Sequence, residues 1–93
     1  IAAEDSKTKG IIIIDIAGER NPYFSEIVNY AKVKGYFIIL DSSHSHGLLA
    51  NQKSLYSEVD AQVFSMYPTK ILTSATGGVV LSNNDKLINY LKF

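Results

Sequence analysis

The chain has 93 residues, no cysteine, and nine basic residues that cancel nine acidic ones. That length allows one domain at most. The balanced charge argues against nucleic-acid or membrane-surface partners, which need a basic excess, and the lack of cysteine rules out disulfides and thiolate metal sites. It also favours an intracellular setting. No apolar run is long enough to span a bilayer, and the opening "IAAEDSKTKG" has no signal-peptide pattern.

In chain order, Gly10 to Ile16 reads as a strand. "GIIIIDIAG" is apolar at consecutive positions, the pattern of a strand covered on both faces in a parallel sheet layered by helices. So short a chain supplies few helices to do that. It is therefore expected to be a piece of a larger polypeptide.

"GERNPYF" follows as a loop, with Asn21 as the expected helix cap and Pro22 in the first helical position. Phe24, Ile27, Val28 and Ala31 then recur at helical spacing, and Lys32, Lys34 and Gly35 form a normal helix ending. "YFIILD" is a second buried strand, closing at Asp41. Strand, helix and strand in succession predict a right-handed βαβ unit with parallel strands.

"SSHSHG" reads as loop and "LLANQKSLYSEVD" as an irregular mix. "AQVFSMY" alternates well enough for a third strand, ended by Pro68, and "KILTSATGG" reads as an exposed linker. "GGVVLS" is a fourth strand. "NNDKLINYLKF" opens a last helix, with Ser82 or Asn83 as cap and Leu87, Tyr90 and Leu91 facing inward.

Asp41 stands where a parallel strand ends, the place where open α/β sheets bind ligands. A lone aspartate there is more often a cap or turn residue. His44 and His46 share its loop, but no further ligand at suitable spacing makes a zinc site, so no metal is expected. The serines lack the strained Gly-x-Ser-x-Gly turn of a hydrolase nucleophile. Lys70, in "FSMYPTK", shifts the odds. A single lysine is ordinarily a solvated charge. Here an acid and a lysine end neighbouring β segments, and Ser65 lies five positions before the lysine. Pyridoxal 5'-phosphate (PLP) uses all three kinds of group: an amine for a Schiff base, a carboxylate for the pyridinium nitrogen and hydroxyls for the phosphate.

With these residues in view, the chain resembles the large domain of fold-type I PLP-dependent enzymes, and most of all the DegT/StrS family of sugar aminotransferases. Four segments carry the resemblance in order: "DIAGERNPYFSEIVNYAKVKGYFIILD", "DSSHSHG", "FSMYPTK" and "GGVVLSNNDKLINYLK". The second is similar to the family's Asp-Ala-Ala-Gln-Ala-His-Gly and the third to its Phe-Ser-Phe-x-x-x-Lys. The implied fold is α/β, part of a three-layer αβα sandwich of the aspartate aminotransferase-like large domain, with a mainly parallel sheet. Residues 1–93 would be its central segment, with the N-terminal part and the small C-terminal domain outside this chain.

The resemblance implies roles residue by residue. Lys70 would form the Schiff base and then move protons. Asp41 would pair with the pyridinium nitrogen. Ser65 would bind the phosphate. His44 would lie near the ring, where the family often has glutamine, and Ser43 beside it, where a small residue packs. His46 matches the histidine before glycine, as packing or support. Gly77 and Gly78 match a turn into a strand. The chain departs from the pattern at Ser42 and Ser43, where alanines are expected. It departs again at Ile71 for asparagine, at Ala75 and Thr76, and at Asp15, where histidine is common.

The implied activity is transfer of an amino group, from glutamate, to a keto sugar attached to a nucleotide, by a cytoplasmic homodimer. Other fold-type I activities, a hydroxymethyltransferase or a decarboxylase, also place a histidine three after the aspartate, although they usually have histidine where Thr69 precedes the lysine. Sugar dehydratases related to the family replace the lysine that is present here. A non-catalytic subunit of the same fold is the remaining alternative, motivated by the substitutions around "KILTSATGG".

Overall fold

The computed structural model describes residues 3–16, 18–43, 58–65 and 77–92. Four strands and two helices follow in the order β1 (Gly10–Ile14), α1 (Phe24–Lys34), β2 (Phe37–Asp41), β3 (Ala61–Ser65), β4 (Gly78–Leu81) and α2 (Asp85–Leu91). The sheet has the order β1-β2-β3-β4. β1, β2 and β3 run parallel, and β4 is antiparallel to β3. The expected βαβ unit is present, and the sheet is mainly parallel.

The isoleucine run favours a strand because side chains branched at Cβ lose little freedom on a pleated surface. Ile11 pairs with Ile38 and Ile13 with Leu40, so these four share one face. Against that face lies α1, which buries Phe24, Val28 and Ala31. Ile13, Ile38, Leu40 and Val59 complete the core, with Ile11, Ile27 and Tyr36 packed at its margin. Each large apolar side chain buried there contributes about 1.5–3 kcal/mol.

The other face differs from the expectation of cover on both sides. Ile12 is 64% and Ile14 50% exposed, and Phe37 beside them is also exposed. Among the described residues nothing buries these three side chains. A consecutive apolar run shows that both faces suit burial, but it does not supply the second layer.

The ends of the elements are set by local bonds. β1 stops at Ile14, two residues short of expectation, and Ile16 makes only an isolated bridge to Glu19. α1 begins at Phe24, later than the Asn21–Pro22 signal suggested. Asn21 instead closes a turn, its Oδ1 accepting from Tyr23 N at 2.9 Å and its carbonyl from Phe24 N at 3.0 Å. The asparagine leads the chain into the helix without capping it. At the other end, Gly35 adopts φ 72°, and its N–H bonds back to the last turn, the left-handed ending that glycine makes without strain. In α2 the cap is Asn84, whose Oδ1 accepts from Leu87 N at 3.2 Å, and Ser82 Oγ accepts from Asn84 N at 3.0 Å. The inward stripe expected on α2 is not buried: no residue of the helix is, and Tyr90 is 83% exposed. Helical spacing marks a stripe but not what covers it.

Candidate functional site

Because β1, β2 and β3 are parallel, their carboxyl ends lie on one side of the sheet. Asp41 is the last residue of β2 and Ser65 the last of β3. Asp41 pairs with Val63, and Ser65 lies two residues further along the same strand. With the pleat's period of two, Asp41 and Ser65 therefore share the face opposite α1. Asp15, Ser42 and Gln62 share the face that α1 covers.

Asp41 is half-buried. Its Oδ1 accepts from Ser43 N at 3.0 Å and from Ser43 Oγ at 2.5 Å. The first of these closes an Asx turn that ends the strand, and the second is a short charge-assisted bond. Both fall on Oδ1, so Oδ2 carries no hydrogen bond among the described residues. The Asp41 main chain is tied on each side, its carbonyl accepting from Asp15 N at 3.0 Å, and Ser42 N donating to Val63 O at 2.9 Å. The result is a carboxylate fixed through one oxygen at the mouth of a parallel sheet.

Ser65 is half-buried opposite Gly78 of β4. A Cβ on Gly78 would meet Phe64 O at 2.7 Å, so β4 reaches this end of β3 only with glycine there. The expectation that Gly77 and Gly78 serve the turn into the strand agrees with this, since Gly77 takes φ 112°. Lys70, His44 and His46 lie outside the described residues, as do Ile71, Ala75 and Thr76. The structure thus places Asp41 and Ser43 in contact and sets Ser65 on their face.

The opposite face holds groups that sequence reasoning left unassigned. Asp15 is fully buried. Arg20 Nη1 lies 2.7 Å from its Oδ2, Asn21 N donates to Oδ1 at 3.0 Å, and Ser42 Oγ donates to Oδ2 at 3.4 Å. Gln62 Nε2 donates in turn to Ser42 Oγ at 2.9 Å. The arginine contact is an ion pair without an aligned hydrogen bond, and Arg20 Nε and Gln62 Oε1 have no hydrogen-bond partner among the described residues. The Arg20 guanidinium also lies 5.3 Å from the centre of the Phe24 ring. Asp15 continues the inward-facing odd-numbered positions of Ile11 and Ile13, and a charge at such a position requires a partner. That signal, together with an arginine five residues on in "GERN", would have pointed to Arg20. Gln62 carries no sequence signal beyond its place in an alternating strand.

Among the described residues no group of three or more His, Asp or Glu could hold a metal ion, and no helix is long and apolar enough to cross a membrane.

Residues 2–93 match the DegT/DnrJ/EryC1/StrS aminotransferase family. The chain belongs to that family. It is 33% identical over 96% of its length to the UDP-4-amino-4,6-dideoxy-N-acetyl-beta-L-altrosamine transaminase of Campylobacter jejuni, covering 23% of that protein. It is 29% identical over 91% of its length to the GDP-perosamine synthase of Vibrio cholerae, covering 23% of it. It is 31% identical over 90% of its length to the 2-methylserine hydroxymethyltransferase of a Paracoccus species, covering 20% of it. The chain therefore spans about a quarter or less of the length of these relatives. The mixed α/β architecture with its mostly parallel sheet is consistent with part of a PLP-dependent transferase large domain.

Proposed function

We propose that the chain is the cofactor-holding segment of a PLP-dependent aminotransferase that moves an amino group from glutamate to a keto sugar of a nucleotide-sugar. The observation that carries this is Asp41: a carboxylate fixed by Ser43 at the end of an inner parallel strand, on the same face as Ser65, in a chain of this family. The donor set fits the cofactor. Asp41 would pair with a protonated ring nitrogen, and Ser65 would bring a hydroxyl from the adjoining strand toward the phosphate.

When bound, PLP supplies an electron sink for the carbon that bears the amino group. The rest falls to the chain's own residues. Asp41 holds the ring nitrogen in its protonated form through its negative charge. Lys70 would hold the cofactor through its amine and carry a proton at Nζ. Ser65 orients the phosphate. Ser43 holds the Asp41 carboxylate in place and would be the small residue beside the ring. His44 would be its neighbour in the same reading. The remainder of the large domain and the small domain lie outside residues 1–93, and the bare face of Ile12, Ile14 and Phe37 suits the further helical layer of a three-layer sandwich. The homodimer and the cytoplasmic setting belong to the same reading, since the resemblance implies them.

The named relatives support the sugar substrate: two of them are, by name, an altrosamine transaminase and a perosamine synthase. A second reading, transfer of a hydroxymethyl group, is favoured by the Paracoccus relative and by the position of His44. The test uses the full-length protein with PLP. A visible absorbance band that disappears in Lys70→Ala supports PLP chemistry. Conversion of the cofactor to pyridoxamine phosphate by glutamate then supports aminotransfer, and release of a one-carbon unit from 2-methylserine without that conversion supports the second reading. A band unaffected by Lys70→Ala, or none, contradicts both and leaves a non-catalytic subunit.

A further inference from the structure

Ser42 follows Asp41 and points to the other face, where it is fully buried. A buried hydroxyl is tolerated only with partners. Ser42 has one on each side: it donates to Asp15 beyond the end of β1 and accepts from Gln62 of β3. The segment after β1, the residue after β2 and Gln62 within β3 are thus joined by side chains beside Asp41. Main-chain bonds from Asp15 N to Asp41 O and from Ser42 N to Val63 O join the same strands. The end of β2 cannot slide or rotate without breaking bonds to both neighbours. Arg20 balances the charge of Asp15 from the loop after β1. Asp15 and Ser42 are partners of one another.

We propose that Asp15 and Ser42, with Arg20 as counter-charge and Gln62 as second anchor, form one unit that sets the position of Asp41 for cofactor binding. Ser42 is its positioning residue. The proposal rests on the reading of Asp41 as the acid that meets the cofactor. Ser42 touches neither cofactor nor substrate; its hydroxyl acts through the strand end that carries Asp41. Such supporting partners typically change the affinity of a site by about tenfold or more when removed.

The test uses the full-length protein and two readouts besides activity: the dissociation constant for PLP by equilibrium dialysis, and the visible circular dichroism of the bound cofactor. Ser42→Ala is expected to weaken PLP binding by about tenfold and to alter the visible dichroism. Ser42→Thr, which keeps the hydroxyl, is expected to stay within about threefold of the parent. Val28→Ala, a core change in α1, serves as the stability control, and it should lower the melting temperature while leaving PLP affinity within about twofold. If Ser42→Ala does not fold, Gln62→Met, which removes the donor to the same hydroxyl, reads the same quantity. Ser42→Ala or its substitute matching Val28→Ala in both readouts overturns the proposal, and so does equal loss in Ser42→Thr and Ser42→Ala. A Lys70-dependent band in the parent shows whether the underlying reading holds, so the two failures are distinct. Absence of that band overturns both.

Discussion

Asp41 and Ser42 are neighbours in the chain, yet their side chains serve opposite faces of the sheet. Asp41 presents a carboxylate, held by Ser43, toward the open face. Ser42 is sealed beneath it in a network with Asp15 and Gln62. The pleat of one strand end thus divides a candidate site from its support.

Arg20→Ala leaves the fully buried Asp15 without its counter-charge. The expected cost is about 3–5 kcal/mol, since breaking a buried pair strands a charge in a poorly solvating interior. Urea unfolding of the full-length variant measures it. A loss below about 1 kcal/mol would place the pair in the weak, solvent-screened class.

Leu40→Ala removes a fully buried side chain at the centre of the sheet's packed face. A loss of about 2–5 kcal/mol is expected. Ile12→Ala, on the exposed face of the same sheet, should cost much less in this chain. A large loss at Ile12 in the full-length protein, measured by the same unfolding transition, would show that a further layer covers that face there.

Gly78→Ala forces a Cβ to within 2.7 Å of Phe64 O. β4 must move away from β3 beside Ser65, and overpacking of this kind costs about 1–3 kcal/mol. Hydrogen exchange at the β3–β4 ladder should rise in the variant, and unchanged exchange would contradict the close approach.

Glu4 joins the N-terminal segment to α1 and to the residue before β2 by accepting hydrogen bonds from Tyr30 at 2.5 Å and from Tyr36. The Tyr30 bond, then the Tyr36 bond, holds its carboxyl below the ordinary range. A depressed carboxylate stabilises the fold above its unfolded pKa, and that contribution is lost as pH falls through the folded value. The Tyr36 phenol is pushed up to about 12, chiefly by its bond to Glu4. A raised phenol contributes below its unfolded pKa, 10.0 for an ordinary tyrosine, and the contribution is lost as pH rises from there through about 12. The stability gap between the parent and Glu4→Gln should therefore narrow in acid and again between these two alkaline values. A gap independent of pH across both windows would contradict the clasp.

The elements were legible because their patterns are local. The isoleucine run, the stripe of Phe24, Val28 and Ala31 and the terminating Gly35 each report a period or a backbone preference, and each is found where expected. Asp41 was legible because a strand end is a defined place in an open α/β sheet. The starts of the helices were less so: Asn21 and Ser82 carry the right chemistry for caps but spend it on turns ahead of the helix. The network beneath Asp41 was illegible for a different reason. Asp15 lies just after β1, Ser42 just after β2 and Gln62 in β3, and only the register brings them together. The exposure of Tyr90 and Ile12 likewise depends on what packs against them, which spacing does not encode.

The central claim, that Asp41 is the acid of a PLP site anchored by Lys70, is tested most directly by loading full-length Asp41→Ala with PLP and adding glutamate. The expected result is a Lys70-dependent visible band that persists, while conversion to pyridoxamine phosphate slows by about a hundredfold or more, as loss of a preorganised charge at a reacting group does. Conversion at the parent's rate would contradict it.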